Sequence, residues 1–159
     1  MNTLKYNRLN LENDQFLLDM GCGEGRHSIG ALLETSANVV GLDLSLNDLN
    51  IAKSRLRDFD LSNVETNCTF GVSNINDIPF ENASLDAVIC SEVLEHIDSP
   101  EESIKELIRV LKPGGVMALS VPRYLPELIC WKLSKEYSKT PGGHVTVSYT
   151  HLTLPTTPY

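Results

Sequence analysis

Three glycines at alternate positions, set between two apolar stretches of different spacing, constrain this chain more than any other feature. Residues 16–20 form a short, mostly apolar run, Gly21, Gly23 and Gly25 follow at once, and residues 29–33 carry apolar side chains at helical spacing. A side chain at the glycine positions would collide or strain the backbone, so glycine lets the chain turn sharply and approach a bound molecule. The pattern predicts a strand, a glycine-rich turn and a helix.

The same alternation of strand-like runs and helical stripes continues through most of the chain. The predicted strands cover residues 16–20, 38–43, 64–70, 85–90 and 116–121, and predicted helices follow the first, second, fourth and fifth of them. Strands that alternate with helices predict a parallel, doubly wound α/β sheet, because each helix carries the chain back over a face of the sheet. At about 150 residues per domain, 159 residues make one domain.

Two helix starts carry capping signals, in which a hydroxyl and a carboxylate three residues apart satisfy backbone N–H groups. Ser45 precedes the second helix with Asp48 in place, and Ser99 precedes the third with Glu102 in place. Residues 112–115 are predicted to end the third helix. The apolar positions predicted to face the core are Ile29, Leu32 and Leu33, then Leu46, Leu49, Ala52, Leu56 and Phe59, then Ile104, Leu107, Ile108 and Leu111.

Charge narrows the class of partner. Thirteen Lys and Arg against twenty-one Asp and Glu give a formal net charge of −8, which repels phosphate backbones and anionic membranes. We therefore expect no nucleic-acid partner, which leaves small molecules or neutral partners. No apolar run approaches the roughly 20 residues that span a bilayer, no leader pattern precedes the first strand, and the cysteines lack paired metal or redox spacing. These observations favour a cytoplasmic protein without an integral membrane segment.

The last twenty residues differ in composition from everything before them. Residues 140–159 contain no Asp, Glu, Lys or Arg but six Thr and three Pro. One interpretation is an edge strand at 145–149 with a frayed tail; the other, which we favour, is that residues 147–156 resemble a translated sequencing adapter. On the second interpretation the domain covers residues 1–145, and 146–159 form a non-native tail.

Two carboxylates stand at the predicted carboxyl ends of the first two strands. Asp19 lies two residues before Gly21, where it can bond the amides of the turn or, through water, an ammonium group. Asp43 lies twenty residues after Gly23, where a carboxylate can accept both hydroxyls of a ribose, as NAD and S-adenosylmethionine (SAM) both require. Arg26 stands where dinucleotide binders have their third glycine, which disfavours NAD.

Six motifs follow one another along the chain. They are LDMGCGEG at 18–25, GLDLS at 41–45, DIPF at 77–80, LDAV at 85–88, EVLEHI at 92–97 and RVLKPGG at 109–115. In this order and spacing they resemble the class I SAM-dependent methyltransferases, especially the small-molecule group that contains the quinone-biosynthesis enzymes. The resemblance covers about residues 16–122 and implies a Rossmann-like class I methyltransferase fold with a mostly parallel sheet. The family's sheet ends with two more strands that this sequence does not supply, so the last strands are expected to be missing and the fifth strand to present an aggregation-prone edge.

The resemblance also implies where SAM binds. The implied cofactor-binding residues are Asp19, Gly21, Gly23 and Gly25 at the methionine part, Asp43 at the ribose, Leu44, Asn74 and Ile75 at the adenine, and Ser91 near the transferred methyl. Asn74 stands where the family has an acidic residue. An amide carbonyl still accepts a hydrogen bond from the adenine amino group, although without the help of a charge.

The same resemblance leaves open whether the protein also binds a metal ion. Glu92, Glu95 and His96 form Glu-x-x-Glu-His at a predicted helix start, a group with which some quinone O-methyltransferases hold a divalent metal ion that polarises a substrate hydroxyl. The alternative, which we favour, is that the glutamates complement a helix N-terminus and that His96 packs locally.

We therefore expect SAM-dependent methyl transfer to a small-molecule acceptor. The cofactor carries the activation, so the protein chiefly aligns the acceptor with the methyl group and excludes water, and no catalytic base is assigned. The alternatives are a noncatalytic methyltransferase-like subunit and, less favoured, a nicotinamide-dependent oxidoreductase. The sequence indicates neither the acceptor nor the oligomeric state.

Overall fold

A computed structural model describes residues 4–62 and 64–121, in which the chain forms five strands and three α-helices. The strands are β1 (Phe16–Met20), β2 (Asn38–Asp43), β3 (Cys68–Val72), β4 (Leu85–Ser91) and β5 (Leu111–Ser120), and the helices are α1 (Arg26–Glu34), α2 (Leu46–Leu56) and α3 (Pro100–Val110). Short 3₁₀ helices cover Tyr6–Leu9 and Leu94–His96. The predicted helix at 125–137 and the tail at 146–159 lie outside the described residues.

The five strands form one parallel sheet in the order β3-β2-β1-β4-β5. The predicted doubly wound α/β class is thereby confirmed. β1 lies at the centre, where Leu18 is paired with Val40 on one side and Val88 on the other. The chain moves outward from β1 to β3 and then crosses to the other side of β1. At such a reversal the connections diverge, and a crevice opens at the carboxyl ends of the strands.

Two apolar clusters cover the two faces of this sheet. One lies between the sheet and α3 and includes Leu18, Ile104 and Leu107. The other lies under α1 and the first 3₁₀ helix and includes Leu17 and Tyr6. Neighbouring β1 residues enter opposite clusters because side chains alternate along a strand. Within the described residues, no helix combines the length and apolar character needed to cross a membrane.

Four residues predicted to be in the core lie at the surface. Their exposed fractions are 43% for Leu33, 60% for Leu46, 43% for Phe59 and 40% for Ile108. Leu33, Leu46 and Ile108 belong to helices that contact the sheet along a narrower stripe than their apolar residues span. Phe59 follows the last residue of α2, so it has left the helical face altogether.

The two capping predictions have different outcomes. The Ser45 hydroxyl accepts from the backbone N–H of Asp48 at 3.2 Å, as predicted. The return bond, from the Ser45 N–H, goes to the carboxylate of Asp43 at 2.8 Å rather than to Asp48. Ser99 occupies the predicted N-cap position, but its side chain makes no capping hydrogen bond. The Ser99 carbonyl alone accepts from the Glu102 N–H, at 3.2 Å.

The larger differences in strand bounds lie in β3 and β5. β3 begins at Cys68, so Val64 and Thr66 precede it, although both are half-buried as the predicted alternation requires. β5 begins at Leu111, five residues before the predicted start, because Leu111 pairs with Leu85 and the ladder resumes only at Val116 opposite Ala87. Residues 112–115 therefore form an irregularity within β5, not a segment before it.

Candidate functional site

A cavity of about 620 Å³ opens at the carboxyl edge of the sheet, where the strand order reverses. Three parts of the chain form it: the ends of β1 and β2, the loop between β3 and β4, and the segment that joins β4 to α3. A volume between about 300 and 1,000 Å³ is typical of sites for cofactors and drug-sized ligands. The lining residues are Met20, Gly21, Gly23, Asp43, Leu44, Asn74, Ile75, Asn76, Glu92, Val93, His96, Ile97, Asp98, Ser99 and Glu102.

The first wall, which we call the glycine wall, consists of Gly21, Gly23, Asp43 and Leu44. Both glycines have positive φ, 73° and 51°, a conformation that other residues adopt only with strain. A Cβ at Gly21 would overlap a methyl group of Val93. The turn therefore packs directly against the segment after β4, and glycine at position 21 permits that approach.

Asp43 ties the two strand ends of the glycine wall together. One carboxylate oxygen accepts from the Gly23 N–H at 2.8 Å and the other from the Ser45 N–H at 2.8 Å. A carboxylate offers about four acceptor sites, so one remains on each oxygen at the cavity. Two adjacent acceptors fixed by the backbone suit a pair of neighbouring hydroxyls, and the 66%-exposed side chain of Leu44 offers apolar surface beside them.

Asp19 and Gly25 lie next to this wall but do not line the cavity. The Asp19 carboxylate is buried and accepts from the Ser28 hydroxyl at 2.6 Å, so its partner is in the first turn of α1. Burial raises its pKa to about 6, the Ser28 hydrogen bonds oppose that rise, and the charge of Asp43 adds to it. A Cβ at Gly25 would lie 2.9 Å from the Cβ of Ala52, so Gly25 lets α1 approach α2.

The residue after Arg26 is a buried histidine. Tyr6 Oη lies 2.8 Å from Nδ1 of His27, and an Arg26 guanidinium nitrogen lies 3.0 Å from Nε2. Since the guanidinium can only donate, Nε2 accepts and Nδ1–H donates to the tyrosine oxygen. Burial, aided by Arg26, lowers the pKa of His27 to about 4. His27 is therefore a neutral packing residue at neutral pH.

The second wall, the loop wall, consists of Asn74, Ile75 and Asn76 in the loop at residues 73–84. The Asn74 side-chain oxygen accepts from the Asn76 N–H at 2.9 Å, and the Asn74 carbonyl accepts from the Asp77 N–H at 3.0 Å. These bonds fold the loop into a tight turn, and Ile75 is buried in the core. The structure thus places the predicted Asn74 and Ile75 in the cavity lining together with Asp43, whose carbonyl accepts from the N–H of the residue before Asn74 at 3.1 Å.

The third part of the lining follows β4. Glu92 has a φ of 57°, and its carboxylate accepts from the Ser120 hydroxyl at 2.6 Å. Ser91, just before it, is buried and does not line the cavity. Its hydroxyl, like one carboxylate oxygen of Glu95, finds no hydrogen-bond partner among the described residues.

The metal interpretation of Glu92, Glu95 and His96 is not supported. Glu92 stands in a left-handed turn and Glu95 and His96 in a 3₁₀ helix, so the three do not share the α-helical start that was predicted. Over residues 4–62 and 64–121, no group of three His, Cys, Asp or Glu side chains is arranged to hold a metal ion. Glu92 and His96 instead line the cavity separately, and we derive no metal-assisted step.

Sequence reasoning missed most of the lining after β4. The lining residues that were not predicted as site residues are Met20, Asn76, Val93, Ile97, Asp98, Ser99 and Glu102. For most of them the available signal was position: Met20 ends β1 and the last five follow β4, and the sheet order reverses between these two strands.

Comparison with known families decides what kind of protein this is. The methyltransferase domain family matches residues 18–119. The chain belongs to this methyltransferase family. The predicted family is thereby confirmed, and the glycine wall and the loop wall both lie within the matched residues of this methyltransferase domain.

Individual relatives agree with that assignment. The methyltransferase domain is 37% identical over 101 residues to a demethylmenaquinone methyltransferase of Lactococcus lactis, which covers 62% of this chain and 38% of the relative. A SAM-dependent methyltransferase from Methanosarcina mazei superposes with a TM-score of 0.64 at 31% identity, covering 73% of this chain and 57% of that one.

One similar structure contains a cofactor product. Haemonchus contortus phosphoethanolamine N-methyltransferase 2, in complex with S-adenosylhomocysteine and phosphomonomethylethanolamine, has a TM-score of 0.61 at 30% identity and covers 71% of this chain and 26% of that one. The chain spans between 29% and 49% of the length of the curated relatives it matches.

Proposed function

We propose that the cavity binds SAM and that the protein transfers the SAM methyl group to a small-molecule acceptor. One observation carries the proposal: the Gly21–Gly23 turn and the Asp43 carboxylate, joined by the 2.8 Å hydrogen bond from the Gly23 N–H, form one wall of a cofactor-sized cavity. Membership of the methyltransferase family, and SAM-dependent proteins among the similar structures, support the same cofactor.

The residues of the cavity fit the parts of SAM. Asp43 has an acceptor free on each carboxylate oxygen for the two ribose hydroxyls, and Asn74 and Ile75 would hold the adenine. The glycine turn would receive the methionine part, close to the buried negative charge of Asp19. SAM supplies a methyl group on a positively charged sulfur, which an oxygen, nitrogen, sulfur or carbon nucleophile displaces in line.

The contribution of the protein is alignment and exclusion of water. Val93 and Ile97, on the segment after β4, present apolar surface to the cavity close to the glycine turn. They would shield the reacting centre from water, while the bonded Glu92 carboxylate gives this side of the cavity a fixed acceptor. Holding two reactants in a productive geometry can account for a large part of a rate enhancement.

Isothermal titration with S-adenosylhomocysteine tests the proposal on the full chain. We expect binding by the wild type and a loss of affinity of about 10- to 100-fold in Asp43→Asn. In that variant an amide NH₂ would replace one acceptor and would also face a backbone N–H, either that of Gly23 or that of Ser45. NADH, titrated in parallel, should not bind.

Asp48→Asn is the matched control. It removes the same charge five residues away, and Asp48 does not line the cavity, so its affinity should stay within about twofold of the wild type. Wild-type protein that is folded by circular dichroism and binds no S-adenosylhomocysteine would refute the proposal. A tighter complex with NADH would favour the oxidoreductase alternative instead.

A further inference from the structure

Arg109 is the first residue of the RVLKPGG motif, and the function proposed above gives it no role. It stands in the last turn of α3 and does not line the cavity. Its guanidinium nevertheless makes five hydrogen bonds, one for each of its N–H donors. A fully bonded guanidinium fixes its partners in one geometry.

Three of these bonds hold the loop between β3 and β4. One terminal nitrogen of Arg109 donates to the Phe80 carbonyl at 2.9 Å and to the Asn82 side-chain oxygen at 2.8 Å, and the other donates to the Ile78 carbonyl at 3.0 Å. The partners lie 27 to 31 residues away in sequence. Arg109 therefore connects two distant parts of the chain.

The remaining two bonds fix the guanidinium itself. Glu106 accepts from Arg109 through both carboxylate oxygens, each at 2.7 Å, a bidentate pairing. Glu106 also accepts from the Ile78 N–H at 3.0 Å. Ile78 is consequently held by its N–H through Glu106 and by its carbonyl through Arg109. Its side chain is 2% exposed, within the core.

Two further contacts extend this connection along α3. The buried Ser103 hydroxyl donates to the Asn76 side-chain oxygen at 2.6 Å, and the Arg109 carbonyl accepts from the Ala83 N–H at 2.8 Å. Ser103, Glu106 and Arg109 are three residues apart and meet the loop at successive points from Asn76 to Ala83. One edge of α3 thus fastens the loop that carries the loop wall.

We propose that Arg109, held by Glu106, is a positioning residue that sets the selectivity of the loop wall for adenine. The inference rests on the proposed function, because it requires that Asn74 and Ile75 receive the adenine of SAM. Arg109 acts through the backbone: it fixes residues 78–82, and through them the turn that begins at Asn74. A lysine presents its three N–H donors from a single nitrogen atom, whereas the planar guanidinium spreads five donors over three nitrogen atoms. A lysine at position 109 therefore cannot reach Ile78, Phe80 and Glu106 at the same time.

The test compares two ligands that differ only at the base. Full-length wild type, Arg109→Met and Arg109→Lys are titrated with S-adenosylhomocysteine and with S-inosylhomocysteine. The second ligand lacks the amino group of adenine, which would donate a hydrogen bond to the side-chain oxygen of Asn74. We expect the wild type to prefer the adenosyl ligand by about fivefold, the value of one net hydrogen bond. The preference should fall below about twofold in Arg109→Met and be intermediate in Arg109→Lys.

The ratio separates positioning from general destabilisation. A variant that only lowers the folded population reduces the apparent affinity for both ligands by the same factor. The ratio of the two affinities would then not change. Lys112→Met is the matched control: Lys112 belongs to the same motif but pairs with Asp86 in β4 at 2.8 Å. This variant should keep the wild-type ratio.

Hydrogen–deuterium exchange of the unliganded protein provides a second measurement. Arg109→Met should speed exchange at residues 75–78 and leave the glycine turn unchanged. A wild type that binds neither ligand would overturn the proposed function and this inference together. Binding with an unchanged ratio in Arg109→Met, or unchanged exchange in the loop, would overturn the inference alone.

Discussion

The glycine wall and the loop wall line one cavity, yet they are held in place in different ways. In the glycine wall two backbone N–H groups near the strand ends, those of Gly23 and Ser45, donate to the carboxylate of Asp43. Around the loop wall the bonds come from side chains of α3: Ser103 bonds the wall itself, and Arg109 bonds the residues that follow it. The first wall combines strained glycine backbone with a carboxylate of its own, whereas the second depends on side chains that a separate helix supplies.

This difference predicts how each wall fails. A backbone turn fails through sterics and strain, so a single methyl group can abolish the site. A bridged loop fails gradually, because several bonds share the restraint and one substitution removes only some of them. Experiments on Gly21 and on the two serines separate these behaviours, and an experiment on Asp19 tests the buried charge beside the glycine wall.

The largest effect is expected at Gly21. Gly21→Ala places a side chain on a residue with a φ of 73° and against Val93, which should cost about 2–4 kcal/mol of unfolding free energy. It should also reduce affinity for S-adenosylhomocysteine by more than about 100-fold. Urea denaturation and calorimetric titration measure the two effects.

Gly114→Ala is the control for backbone strain alone. Gly114 has a φ of 82°, but nothing lies within 4 Å of an added Cβ. We expect a cost of about 1 kcal/mol and an unchanged affinity. Equal affinities for Gly21→Ala and Gly114→Ala would show that the glycine wall does not depend on the close approach to Val93.

A smaller effect is expected at Asp19, where removal of the charge should stabilise the fold but weaken ligand binding. Burial raises its pKa from 3.8 to about 6. Its proton-linked contribution to stability is therefore complete below pH 3.8 and lost as the pH rises through about 6. Asp19→Asn should be about 1–3 kcal/mol more stable than the wild type at pH 7. It should also bind S-adenosylhomocysteine, which carries an ammonium group, about three- to tenfold more weakly.

The pH dependence sharpens this prediction. The stability gap between Asp19→Asn and the wild type should shrink by about 1 kcal/mol from pH 7 to pH 5. His27, with its pKa lowered to about 4, has the opposite slope, because its contribution is lost as the pH falls from 6.5 to 4. Both proteins contain His27, so their difference isolates Asp19. A gap that does not vary with pH would contradict the assignment.

The smallest effects are expected for two serine hydroxyls, and the two walls differ in whether these effects add to that of Arg109→Met. Ser45→Ala and Ser103→Ala each remove one hydroxyl bond and should each cost about 1 kcal/mol in urea denaturation. Combined with Arg109→Met, Ser103→Ala should be non-additive by at least about 0.5 kcal/mol, because both hold one loop. Ser45→Ala should add to Arg109→Met within about 0.5 kcal/mol. Two additive pairs would show that α3 does not restrain the loop as one unit.

The same difference explains what could be predicted from the sequence. The bounds of β1 and β2 follow from buried apolar runs that end at turn residues, and Asp43 follows from its distance to the glycines. The early start of β5 depends on the pairing of Leu111 with Leu85, a long-range contact that periodicity does not contain. The bonds of Arg109 to Ile78 and Phe80 are equally long-range, so the sequence indicated a motif there but no contact.

The predicted cap at Ser99 shows that a local sequence pattern can also fail to predict a contact. Its pattern with Glu102 is that of a cap, but a pattern does not fix the rotamer or the approach of the chain. In the structure Ser99 and Glu102 line the cavity, and the cap rests on a carbonyl alone. The metal interpretation, which the sequence left open, lacks support for a related reason: the spacing of Glu92, Glu95 and His96 brings the side chains together only on an α-helix, and Glu95 and His96 stand in a 3₁₀ helix.

The position of β1 at the centre of the sheet has a consequence for synthesis of the chain. β1 emerges from the ribosome first, but its second neighbour follows 70 residues later, as the pairing of Leu18 with Val88 shows. At typical translation speeds one edge of the most apolar strand waits about 4–14 seconds for its partner. Ribosome-arrested chains that stop before and after β4 should therefore differ sharply in protease resistance at residues 16–20.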